Sequence, residues 1–305
     1  MCVCTRAYAR MHVANARAHT LKRACEQVRL ITQELGGHIA ELLQWNRPGV
    51  VRSMADMIAR TRETQADMIK GVAKALRLAA PHEHPRLVPA VLLLEHVAED
   101  YASVPGAVSS LLGSLLLQTL VTYEEEHLTP LLKSFAGMST DYLARIACDN
   151  AGSRALEAFY ASGTVPVKAK AKLTEKLAED VVRVASDRCG SHVIEQAYRA
   201  ATVERKRGLV EALAREFKTI AKSHFGALVC KRCRVEQFVS GAAEWEESLE
   251  RAVKKRDLFA DIIGEDEGTG GRQKPGGDRP KKTKGQVDGA ERGTSDKAAK
   301  RRKVT

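Results

Sequence analysis

Asp149-Asn150-Ala151-Gly152-Ser153-Arg154-Ala155-Leu156-Glu157 decides the reading of this chain, because the chain says it again. Asp187-Arg188-Cys189 leads into Gly190-Ser191-His192-Val193-Ile194-Glu195. Upstream stands Gly113-Ser114-Leu115-Leu116-Leu117-Gln118, and downstream a degraded copy, Gly226-Ala227-Leu228-Val229-Cys230-Lys231. The glycines are 39, 38 and 36 residues apart. Near-constant spacing in the thirties marks stacked helical units, each too small to bury an apolar face alone.

On a helix, Ser114 and Gln118, Ser153 and Glu157, and Ser191 and Glu195 are each four residues apart and share one face. Leu115, Arg154 and His192 project beside them, while Leu156, Val193 and Ile194 turn toward a core. One such pair is ordinary for a solvated helix face. Recurrence at a fixed register suits an exposed strip that reads bases: polar ends hydrogen-bond a base edge and the middle residue stacks on the base.

The phrases with Asp149 and Asp187 at their heads resemble Pumilio (PUF) repeats. The run from Ser153-Arg154 through Val165-Pro166-Val167-Lys168 to Gly190–Glu195 is most similar to the divergent nucleolar branch, the nucleolar protein nine family. The resemblance covers about residues 105–262; known members have more than four repeats, so it is a resemblance to part of one. It implies an all-α, right-handed superhelix of three-helix repeats, an armadillo-like solenoid. It also implies a single-stranded RNA partner, with precursor ribosomal RNA and proteins of the pre-ribosomal particle during small-subunit maturation. By the family's recognition pattern, Ser with Gln resembles an adenine reader and Ser with Glu a guanine reader. The RNA would then read guanine, guanine, adenine from the Ser191 copy to the Ser114 copy. The fourth copy departs from this pattern: Ala227 has no hydroxyl, Leu228 is apolar, and Lys231 suits a phosphate.

Composition agrees with a polyanionic partner. Lys plus Arg number 49 against 38 Asp plus Glu, a formal +11. An apolar content of 44% with only 5% aromatics suits helices packed through Ala and Leu. The seven cysteines include one Cys230-x-x-Cys233 pair without a second pair at zinc spacing. Two helical thiols, one of them buried, are expected there, with no metal and no cofactor. No phosphate loop, paired carboxylates or nucleophile elbow occurs, so no enzymatic activity is expected.

Four segments follow. Residues 1–20 read as a basic, disordered arm; residues 1–25, Arg-rich and acid-poor, also have the look of a transit peptide, which would make the protein an organellar RNA binder. Residues 21–104 read as worn repeats, with helices at about 21–43, 50–61, 65–79 and 87–100, and with Gly37 two repeat lengths before Gly113. Residues 105–262 hold the clear copies and a closing helix anchored by Trp245. The uncharged run 101–123 contains Pro105 and Gln118 and reads as a buried solenoid helix, with no membrane span. Residues 263–305 read as a disordered basic tail. In it Lys281, Lys282, Lys284 and Lys300, Arg301, Arg302, Lys303 read as import signals for the nucleus and nucleolus. The rival to RNA binding is a helical-repeat scaffold that grips a protein in its groove without sequence-specific RNA affinity.

Overall fold

The computed structural model describes residues 22, 23 and 25–264; the basic arm at 1–20 and both candidate import signals lie outside them. All regular structure among the described residues is helical. In chain order the α-helices are α1 (25–36), α2 (Ile39–Gln44), α3 (Pro48–Thr61), α4 (Gln65–Ala75), α5 (Leu87–Leu93) and α6 (Leu111–Leu120). Then come α7 (Thr129–Gly137), α8 (Thr140–Cys148), α9 (Asn150–Ala161), α10 (Val167–Glu179), α11 (Val181–Ser186) and α12 (Gly190–Ala200). The series closes with α13 (Val203–Arg215), α14 (Phe217–Ile220), α15 (His224–Arg232), α16 (Val235–Ser240) and α17 (Ala242–Gly264).

From α7 onward the helices fall into threes, and equivalent members stack in rows. α3, α6, α9, α12 and α15 form one row, each packed on the next. α7, α10, α13 and α16 form a second, and α8, α11 and α14 a third. Apolar residues at helical spacing line the space between rows: Leu116, Leu117, Leu156, Phe159, Val193, Ile194 and Val229 are all buried. Each such side chain contributes about 1.5–3 kcal/mol on leaving water. Phe159 also meets Phe135 of the neighbouring row, with ring centroids 4.4 Å apart.

The repeated phrase is the corner between the second and third helices of a unit. A side chain three residues before the glycine caps the third helix: the Gly152 and Gly190 amides donate to Asp149 and Asp187, and the Gly113 and Gly226 amides to the Ser110 and Ser223 hydroxyls. The glycine then passes under the last carbonyls of the preceding helix. A Cβ on Gly113, Gly190 or Gly226 would lie 2.1–2.3 Å from the carbonyl oxygens of Leu92, Val184 or Ile220. Only glycine permits that approach.

Three expectations for the upstream segment are corrected. The helix foreseen over 21–43 is broken into α1 and α2 by a turn at 37–38, where two consecutive glycines weaken the helix. Gly37 sits there in open space and is no corner glycine; the place before α6 in the row belongs to α3, which opens with Pro48. The helix foreseen over 87–100 stops at Leu93, because Leu94 turns left-handed (φ 62°). The segment that follows is tied down by the Arg145 guanidinium, which donates to the carbonyls of Ala102, Val104 and Gly106 at 3.0–3.2 Å. Among the described residues, no helix is long and apolar enough to cross a membrane.

Candidate nucleic-acid interface

The row α6, α9, α12, α15 carries every sequence-derived candidate from Ser114 to Lys231. Exposure divides them. Arg154, His192 and Lys231 are exposed, and none of their side chains makes a hydrogen bond, ion pair or ring contact among the described residues. Leu115, Gln118 and Glu157 are half-buried. Arg188, exposed and equally unpartnered at the head of α12, belongs with the first group. It was missed because it precedes the phrase.

The serines do not lie on an exposed strip, and that expectation is corrected. Ser114, Ser153 and Ser191 are only 1–3% exposed. Each hydroxyl donates to a backbone carbonyl: Ser114 to Ala151 of α9 at 2.5 Å, Ser153 to Asn150 at 3.3 Å and Ser191 to Arg188 at 2.9 Å. The buried hydroxyls are used within the fold, which gives Gly-Ser a structural reason independent of any ligand; Ala227, at the same place in α15, is exposed. Gln118 turns inward, its amide donating to the Ser114 hydroxyl at 3.0 Å.

Glu195 is corrected as well. It is 6% exposed, and both carboxylate oxygens receive Nη1 of Arg232 at 2.5–2.6 Å, with Arg199 at 3.8 Å. A carboxylate so desolvated is held by its cation partner. Glu157, at the same place in the Gly-Ser-x-x-x-Glu phrase, makes no ion pair or hydrogen bond among the described residues. Two units that read alike in sequence therefore present different chemistry: a free carboxylate at one, a neutralised pair at the other.

The Cys230-x-x-Cys233 pair forms no part of the interface. Both thiols are buried, where one was expected. Burial pushes Cys230 up to about 11 and Cys233 up to about 12, so neither is a thiolate near neutrality. Trp245 is fully buried against Phe238, with rings 5.2 Å apart and edge to face, as an anchor rather than a stacking platform.

Three-helix units, stacked in register, with one helix row bearing unpaired cations and a free carboxylate, define a helical-repeat solenoid of the PUF type. The chain belongs to the family described by the NOP9-like PUF repeat domain, whose pattern matches residues 6–228. It is 22% identical to Pumilio homolog 23 of Arabidopsis thaliana over 244 residues, 78% of this chain and 32% of that protein. Among solved structures it is similar to APUM23 with its insert region deleted, described with GGAAUUGACGG: TM-score 0.65, 22% identity, 74% of this chain and 45% of that one. APUM23 described with GGAGUUGACGG matches equally, at TM-score 0.65 and 22% identity, over 74% of this chain and 43% of that one. The chain thus spans about a third of the curated relative and under half of the solved chains, and the likeness extends to the fold. PUF family membership supports RNA binding.

Proposed function

We propose that this protein binds single-stranded precursor ribosomal RNA along the α6–α9–α12–α15 row, in the nucleolus, during maturation of the small ribosomal subunit. The observation that carries the reading is the set of exposed, unpartnered side chains at successive units of one row: Arg154, His192 and Lys231, with Arg188 beside them. Arg154 and His192 offer flat faces on which unstacked bases lie. Between them Glu157 offers two acceptors to the donor edge of guanine; Gln118 reaches adenine only by turning its amide away from the Ser114 hydroxyl. Lys231 and Arg188 supply phosphate contacts that attract RNA without choosing a sequence. The buried serines set the spacing of the helices and contact no base directly. The mechanism is occupancy: a segment held along the row is shielded from cleavage until assembly proceeds. The two basic runs at 281–284 and 300–303 direct the protein to the nucleus. The description of the APUM23 structures with GGAAUUGACGG and GGAGUUGACGG supports RNA as the partner class for this chain.

Selection of bound RNAs from a randomised pool tests the reading. Glu157→Gln is expected to move one nucleotide from guanine toward adenine; an unchanged profile at every nucleotide, or no RNA retained, overturns it. Crosslinking in cells, followed by sequencing of the attached RNA, is expected to return precursor ribosomal segments.

A further inference from the structure

Counting the corner glycine as the first residue of each phrase, the sixth residues are Gln118, Glu157, Glu195 and Lys231, and the seventh are Thr119, Ala158, Gln196 and Arg232. A contact between units recurs at these places. The seventh residue of α15, Arg232, grips the sixth residue of α12, Glu195. The seventh residue of α6, Thr119, donates its hydroxyl to Asp56 on the preceding row helix α3 at 2.6 Å. At the two junctions between, α6 with α9 and α9 with α12, no such side-chain contact forms among the described residues. Ala158 has no polar group to give Gln118. Gln196 accepts from Arg199 of its own helix at 3.3 Å and makes no bond to Glu157, which has no partner among the described residues.

We infer that Arg232 masks Glu195, so that of the two Gly-Ser-x-x-x-Glu units only the Glu157 unit selects a base. The inference rests on the RNA-binding reading above and says which carboxylate does the reading. To meet Glu195, the donor edge of a guanine has to displace a guanidinium that already fills both oxygens within a buried contact. Arg232 is therefore the specificity-determining residue of the α12 unit, acting from the next repeat, and Glu195 is a positioning residue that holds it.

The test is base selection by the full chain from randomised single-stranded RNA, read nucleotide by nucleotide. The native protein is expected to prefer guanine at the nucleotide set by Glu157 and no base at the neighbouring nucleotide facing α12. Glu195→Gln leaves that profile unchanged. Arg232→Gln, which gives α15 the seventh residue of α12, is expected to create a guanine preference of about tenfold at the neighbouring nucleotide, the size of one well-made base contact. Arg232→Gln leaves a buried carboxylate unpaired at a cost to folding, so the double change Glu195→Gln with Arg232→Gln, which removes both charges, serves as the second variant and is expected to gain adenine selectivity there. A native guanine preference at both nucleotides, with one abolished by Glu195→Gln, overturns the masking while RNA binding stands. Failure of both Arg232 variants, once folded, to gain any preference overturns it too. If Glu157→Gln is also silent, the RNA-reading proposal falls with it.

Discussion

Gly190→Ala tests the corner geometry on which the whole stack depends. Its new Cβ would lie 2.3 Å from the Val184 carbonyl oxygen, roughly 1 Å inside an ordinary 3.4 Å contact, and 3.0 Å from that carbonyl carbon. The obstacle is backbone, so α11 and α12 must separate. Overpacking of this kind costs about 1–3 kcal/mol. Separation also strains the cap in which Asp187 accepts from the amides of Cys189 and Gly190 at 2.7 and 2.9 Å, a further ~1 kcal/mol. Against this, alanine gains about 1 kcal/mol over glycine in a helix. A net loss of about 1–3 kcal/mol is expected, seen as a melting point lowered by roughly 2–12 °C. Gly208→Ala is the matched control, because a Cβ there meets nothing within 4 Å and only the helix gain of about 1 kcal/mol remains. Thermal and urea unfolding of both variants should move in opposite directions. Equal shifts, or a stabilised Gly190→Ala, would refute the close approach as the reason for the glycine.

Arg145→Ala removes three carbonyl contacts and a guanidinium stacked 5.4 Å over the Tyr142 ring. Limited proteolysis is expected to cut faster between residues 101 and 108, while Lys133→Ala, on exposed α7 surface, leaves the pattern unchanged. Cys230 and Cys233 should resist iodoacetamide at pH 8 in the folded protein and react on unfolding, since burial raises both thiols. The same shifts have a stability consequence. Below the ordinary value of 9.0 both states hold the proton and nothing is lost; above it only the unfolded chain releases it. Stability should therefore decline from about pH 9 toward 11, by at most about 1.4 kcal/mol per thiol at pH 10, and Cys233→Ser should flatten that decline. RNA affinity should fall steeply with salt, and Lys231→Ala should reduce the log–log slope by about 0.7, the loss of one phosphate contact, without altering base preference.

The repeat was legible because its constraint is local. A glycine under a carbonyl, a cap three residues before it and apolar residues on one face recur in every unit, so they recur in the sequence at Gly113, Gly152, Gly190 and Gly226. The upstream segment was less legible because α3 packs on α6 through its own apolar face and the Asp56–Thr119 bond, without the Gly-Ser signature. The path after the break at Leu94 is fixed by Arg145, which holds Ala102, Val104 and Gly106 from 39–43 residues away.

Of the candidate site, the sequence alone determined the row and the residue types on it: periodicity places Arg154, His192 and Glu157 on the same helix face whatever surrounds them. Which of those side chains are free was decided only by the tertiary structure. Exposure and pairing are properties of neighbours, and the neighbours here lie about 37 residues away. Ser114 is closed off by Ala151 of the next unit, and Glu195 is filled by Arg232 while Glu157 is left open.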